Sequence, residues 1–242
     1  MSLNTKEIKL LVSPRSKEEA LECLKGGADI IDIKNPEEGS LGANFPWIIK
    51  SILDIVNNKV PVSATIGDLP NLPGTASLAA LGVATCGVSY IKAGIKGPKD
   101  LNSAINLMKN INQAVKNYDK SIKVVAAAYA DYKRFHTVNP RLITEIAYKA
   151  ECDIAMIDTG IKDGTGLLKF LKIEELKKLV QDAHDKNLEI ALAGSLREED
   201  FPVFKDIKPD IIGIRGAACE NNDRLRGSIK SDRIIKLKKL LM

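Results

Sequence analysis

Three lysines and two aspartates stand at spacings that can serve carbonyl chemistry. Asp32 and Lys34 lie two residues apart in Asp29-Ile30-Ile31-Asp32-Ile33-Lys34. In a strand they share one face and leave Ile31 and Ile33 to the other. Lys92 interrupts the apolar run Tyr90-Ile91-Lys92-Ala93-Gly94, and Asp158 closes Ile154-Ala155-Met156-Ile157-Asp158, with Lys162 in the loop that follows. Singly, each has an ordinary structural reading: a local ion pair for Asp32 and Lys34, a strand-end charge for Lys92 or Asp158, a loop lysine for Lys162. Gathered at one place they do more. Crowded ammonium groups and partial loss of water depress a lysine pKa and free an amine near neutral pH. That amine can form an imine with an aldehyde. The carboxylates and a second lysine can then move protons for enamine formation, carbon–carbon coupling and dehydration.

Such a gathering requires elements that bring distant residues together. Short runs rich in Val, Ile and Ala alternate with longer segments of helical period, which predicts a parallel sheet with crossover helices. The predicted strands are 8–13, 29–34, 61–67, 90–94, 123–130, 154–159, 189–195 and 211–215. The predicted helices are 16–25, 46–57, 74–85, 100–117, 140–150, 173–186, 197–206 and 226–241. Eight such units without a long linker predict one (β/α)8 barrel domain over 1–242, with 1–7 read as a disordered or added start. An open doubly wound sheet is the structural rival. It would carry a glycine-rich dinucleotide turn after its first strand, whereas Ser13-Pro14-Arg15-Ser16 stands there. Barrel enzymes work at the C-terminal strand ends, and even-numbered strands share interior layers, so the second, fourth and sixth strands would aim their charges at one rim.

The last two strands end differently, in Leu192-Ala193-Gly194-Ser195 and Gly213-Ile214-Arg215-Gly216-Ala217. Small residues there let backbone N–H groups approach a phosphate, with Arg215 as a charged clamp, so Gly194, Ser195, Arg215 and Gly216 are the expected phosphate contacts. The glycine-rich loop 38–44 reads as a lid or a second anion contact. His136 and His184 do not cluster, and Cys23, Cys86, Cys152 and Cys219 form no CxxC pair, so neither a metal nor a cofactor is expected. A net charge of +5 suits an anionic small molecule. Nucleic acid is not expected as a partner, because aromatic residues make up only 5% and no basic run is interleaved with them. The apolar runs are too short for a membrane span and no signal peptide is read, so the expected compartment is the cytoplasm. A homo-oligomer is allowed but not specified.

Longer motifs resemble one archaeal family. They are Leu11-Val12-Ser13-Pro14, Gly26-Gly27-Ala28-Asp29 running on to Lys34-Asn35-Pro36, and Gly39-Ser40-Leu41-Gly42-Ala43-Asn44-Phe45-Pro46-Trp47. Ser63-Ala64-Thr65-Ile66-Gly67-Asp68, Ala191-Leu192-Ala193-Gly194-Ser195 and Gly213 to Cys219 complete the set. From about Ile8 to the C-terminus the chain resembles the (5-formylfuran-3-yl)methyl phosphate synthases of methanofuran biosynthesis, also called 4-(hydroxymethyl)-2-furancarboxaldehyde-phosphate synthases. The resemblance implies condensation of two glyceraldehyde 3-phosphate molecules, with loss of phosphate and water, by a lyase that forms a lysine Schiff base. It carries the family's catalytic lysine onto Lys34, with Asp32 beside it, and matches Lys92, Asp158 and Lys162. Gly160, Ile161 and Ala93 depart from the family pattern without removing a reacting group. In this reading the Lys34 enamine attacks the second aldehyde, and Asp32 and Lys162 transfer protons. A class I aldolase for another phosphorylated carbonyl and a non-catalytic phosphosugar-binding barrel are the alternatives.

Overall fold

The computed structural model describes residues 7–242; the expectation for the start of the chain falls outside them except at Glu7. Eight strands and eight helices alternate: β1 Lys9–Val12, α1 Lys17–Lys25, β2 Ile30–Ile33, α2 Pro46–Val56, β3 Val62–Leu69, α3 Pro73–Ala84, β4 Tyr90–Ile95 and α4 Leu101–Tyr118. Then come β5 Lys123–Tyr129, α5 Ile143–Lys149, β6 Ile154–Asp158, α6 Ile173–His184, β7 Glu189–Leu192, α7 Phe201–Ile207, β8 Ile211–Ile214 and α8 Ser231–Leu241. Each strand pairs in parallel with the next, and β1 pairs with β8 in the register Lys9↔Ile211 to Val12↔Ile214, which closes the barrel.

Alternation along the strands sorts side chains into two compartments. Ile31, Ile33 and Ile91 face outward into the layer beneath the helices, where they join Ile49, Ile52 and Leu107. Leu11, Ile30, Tyr90, Val125, Ile154 and Ile211 face inward and fill the barrel axis. The helix starts follow local chemistry. Ser16 accepts the Glu19 N–H at 3.3 Å, and Asp100 accepts the Ser103 N–H at 2.9 Å in a reciprocal capping box. Pro46 and Pro73 occupy first turns, where no amide donor is needed.

Several boundaries correct the sequence reading; α5 begins at Ile143 rather than 140, and β7 ends at Leu192 rather than 195. β3 runs to Leu69 through a register shift between Thr65 and Asp68, with Gly67 at φ +111°. The irregularity turns the Asp68 side chain toward the mouth. α7 begins only at Phe201, after a 3-10 turn, with Pro202 in its first turn. α8 begins at Ser231 rather than 226. The preceding segment instead closes on itself: Cys219 bridges Ile229 in antiparallel fashion, and the Glu220 N–H donates to the Ser228 carbonyl at 3.0 Å. Gly227 permits this closure, since a Cβ there would lie 2.7 Å from the Asp223 carbonyl oxygen.

Candidate active site

The strand ends hold a cavity of about 450 Å³, and Lys34, Lys92, Asp158 and Lys162 all line it. Strand geometry accounts for their meeting. Asp32 and Lys34 take the inward face of β2 and its extension, and Lys92 points inward from β4. Asp158 is the last residue of β6. Lys162 then folds back so that its ammonium touches the Asp158 carboxylate, with the Thr159 hydroxyl 3.2 Å away.

Lys92 is 1% exposed and donates to Asp32 at 2.7 Å; the Ser13 hydroxyl donates to the same carboxylate oxygen at 2.9 Å. The other Asp32 oxygen is buried without a partner. Burial alone would raise the Asp32 pKa, but the neighbouring Lys92 and Lys34 hold it below the usual carboxylate range. Asp32 is not part of the cavity wall; it stands behind Lys92. Beneath Lys92 the axis is packed, leaving a void of about 10 Å³ among Leu11, Ile30, Tyr90, Val125 and Ile154.

Lys34 is in the opposite situation. It is 6% exposed, yet its Nζ makes no hydrogen bond or ion pair with any described residue. Burial brings its pKa down to about 7, against the pull of Asp158 and Asp32 and with added repulsion from Lys92 and Lys162. An amine of this kind is substantially uncharged at neutral pH and has no competing acceptor. Asp158 is held at about 2: burial opposes ionisation, but Lys162 and Lys34 outweigh it. Burial also lowers the Lys162 pKa, while Asp158 works in the other direction.

The β7 and β8 ends form the other side of the cavity. Gly194 has φ +120°, and a Cβ there would come 2.9 Å from the Thr159 methyl carbon. Ser195 is left-handed at φ +48°. The N–H groups of Ser195 and Gly216 find no acceptor among the described residues. Arg215, expected as a free clamp, is committed elsewhere. Its guanidinium grips Glu19 through Nη1 at 2.7 Å and Nη2 at 3.1 Å, and donates to the carbonyls of Ser13 at 2.7 Å and Arg224 at 2.8 Å.

Several residues were not singled out from the sequence. Arg224 lines the cavity, and its Nη2 is buried without a partner. Asp131 accepts the N–H groups of Gly160 and Ile161 at 2.7 and 2.9 Å and so fixes the loop that carries Lys162. Asp68 receives the Tyr129 hydroxyl together with the N–H groups of Ser40 at 3.0 Å and Leu41 at 3.2 Å. The Ser40 hydroxyl donates to the Thr159 carbonyl at 2.7 Å, and Leu41 is buried in the inner apolar cluster. Loop 38–44 is therefore pinned across the barrel rather than hinged as a lid. Sequence offered a signal for Asp68 and Asp131, polar residues at strand ends, but none for Arg224.

Solved barrels share this shape. The 3-hexulose-6-phosphate synthase from Salmonella typhimurium aligns with TM-score 0.66 at 15% identity over 97% of this chain and 98% of that one. The phosphoribosyl anthranilate isomerase from Thermus thermophilus aligns with TM-score 0.62 at 13% identity, again over 97% of this chain and 98% of that one. Identity at that level speaks for the fold alone. A closed parallel barrel with charged side chains gathered at its strand ends places the chain among the (β/α)8-barrel enzymes. Its sequence carries the assignment further. The family described as 4-HFC-P synthase matches residues 10–238. The (5-formylfuran-3-yl)methyl phosphate synthase of Methanopyrus kandleri is 51% identical over 233 residues, 96% of this chain and 98% of its own. That of Methanocaldococcus jannaschii is 52% identical over 231 residues, 96% and 98% of the two chains. The chain belongs to the (5-formylfuran-3-yl)methyl phosphate synthase family. No helix of the described residues is long and apolar enough to cross a membrane.

Proposed function

We propose that this chain is a carbon–oxygen lyase that condenses two glyceraldehyde 3-phosphate molecules into (5-formylfuran-3-yl)methyl phosphate through an imine on Lys34. One phosphate and two waters balance the equation. The observation that carries this reading is the unpaired Lys34 amine, with its pKa at about 7, facing a cavity shared with the Asp158–Lys162 pair.

The product's carbon skeleton constrains the order of steps. Its retained CH2–phosphate arm sits on ring carbon 3, so the new bond joins the central carbon of one triose to a terminal carbon of the other. Keeping one aldehyde as the formyl group, and taking phosphate from the opposite end of that triose, requires no redox step. Lys34 then forms an imine with that aldehyde, and loss of the adjacent proton gives an enamine that expels phosphate. The terminal carbon so exposed adds to the second triose, which must first move a proton to present a ketone at its central carbon. This replaces attack on the second aldehyde. Ring closure releases two waters, and hydrolysis frees Lys34.

Lys162 and Asp158 line the cavity and are the proton carriers in this scheme. Asp32, behind Lys92, holds that lysine in place and keeps positive charge beside Lys34. Ser195 and Gly216 offer free N–H groups to a phosphate, Gly194 supplies the turn that exposes the first, and Arg215 braces the β8 end. The cytoplasm fits a pathway of small phosphorylated metabolites. Borohydride added with glyceraldehyde 3-phosphate should fix an adduct at Lys34, mapped by peptide mass. Furan product, followed by its ultraviolet absorbance, should disappear in Lys34→Ala. Full product formation by that variant refutes the imine, and an aliphatic aldol in place of a furan would identify an ordinary aldolase.

A further inference from the structure

We propose that Arg224, rather than Arg215, is the charged arm that binds substrate phosphate in this cavity; the inference rests on the phosphorylated substrate of the reading above. Arg215 has little left to offer an anion. Its charge is matched by Glu19, itself buried, and its remaining bonds go to backbone carbonyls. A second anion beside that pair would compete with Glu19 for the same fork.

Arg224 has the opposite character. Its Nη2 is buried with no acceptor, a costly arrangement for a guanidinium unless a ligand supplies one. Burial lowers its pKa, and Asp158 and Asp68 act from a distance to raise it, yet neither carboxylate is bonded to it. The root of its side chain lies over Gly216, where an added Cβ would be 3.9 Å from the Arg224 Cβ, and Arg224 lines the same cavity as the Ser195 and Gly216 N–H groups that find no acceptor among the described residues. The position is held by the fold. Arg215 Nε grips the Arg224 carbonyl at 2.8 Å, and the Asp223 carboxylate caps the next turn through the N–H groups of Leu225 at 2.9 Å and Arg226 at 3.0 Å. A planar fork that shares one cavity with backbone donors suits a phosphate monoester dianion.

The test uses inorganic phosphate as the probe, titrated by calorimetry into the unaltered protein, Arg224→Met and Arg224→Lys, with circular dichroism to check the fold. Losing charge-assisted bonds should weaken phosphate binding by about 10- to 100-fold in Arg224→Met, with partial recovery in Arg224→Lys. In borohydride trapping, the preference for glyceraldehyde 3-phosphate over unphosphorylated glyceraldehyde should fall by a similar factor. A folded Arg224→Met variant that binds phosphate as tightly as the unaltered protein, or keeps that preference, overturns the assignment. Absence of any Lys34 adduct in the unaltered protein would count against the imine instead, and the phosphate titration would still decide the role of Arg224.

Discussion

At the scale of single residues, the contrast between Lys34 and Lys92 organises the site. Both are lysines on inward strand faces and both are nearly out of water, yet one is bonded to Asp32 and the other to none of the described residues. Burial lowers the Lys34 amine to a pKa of about 7. The sign of the resulting pH dependence follows directly. The proposed imine needs neutral Lys34, so kcat/KM should climb as pH rises through about 7. In the proposed mechanism Lys162 serves as an acid when phosphate departs, and burial sets its pKa below the ordinary lysine value of 10.5, which predicts a falling limb on the alkaline side below that point. A rate that is flat between pH 6 and 8 would contradict the Lys34 assignment, and the absence of any fall below pH 10.5 would contradict that of Lys162. Lys34→Arg keeps a cation but offers no free amine, and should be as inactive as Lys34→Ala.

At the scale of elements, the loops matter because of what holds them. The β6 loop reaches back toward β5, where the Asp131 carboxylate takes two of its N–H groups. Asp131→Asn keeps the size but can accept only one of them well. We expect a stability loss of about 1–3 kcal/mol in thermal melts, from an N–H left unpaired. A purely structural role would end there. Asp131 also helps to keep Lys162 protonated, so its loss should move the alkaline limb of the pH profile to lower pH. An unshifted limb would confine Asp131 to the scaffold. These loops also mark where sequence stopped being informative. The strands were legible as short apolar runs between helical segments, and Asp32, Lys34, Lys92 and Asp158 were conspicuous as charges interrupting or ending those runs. Glu19 falls within the first predicted helix, 16–25, and nothing there marks it as what it is in the fold, the counter-ion of Arg215, 196 positions away. Arg224 sits in a segment read in part as the start of the last helix, and nothing periodic marks a loop that closes through backbone bonds.

At the scale of the whole molecule, closure depends on the meeting of the first and last units. Ile234 of α8 packs against Gly26 at the end of α1, where an added Cβ would fall 2.6 Å from the Ile234 Cβ. Lys238 reaches across the same seam to Asp29 at 2.6 Å and to the Gly27 carbonyl at 2.8 Å. Gly26→Ala must therefore push α8 outward, since Ile234 is fully buried and cannot step aside. Overpacking of this kind should cost about 1–3 kcal/mol. In a chain of this length each kcal/mol lowers the melting midpoint by about 2–4 °C. An unchanged midpoint would mean that the seam carries no strain. The eightfold alternation made the barrel predictable, but the seam was not, because it depends on one glycine whose role appears only when the two ends of the chain meet.

The Lys92–Asp32 pair lies between an apolar floor and the chamber above it. Packed side chains leave a void of only about 10 Å³ below, so under the proposed function the pair meets bulk water through the chamber in which the trioses would react. Once that space is filled, the protons inside form a closed inventory. Those taken from one carbon have to be delivered to another oxygen or carbon before the next exchange with solvent, so hydrogen lost early in a turnover can reappear in the product of the same turnover.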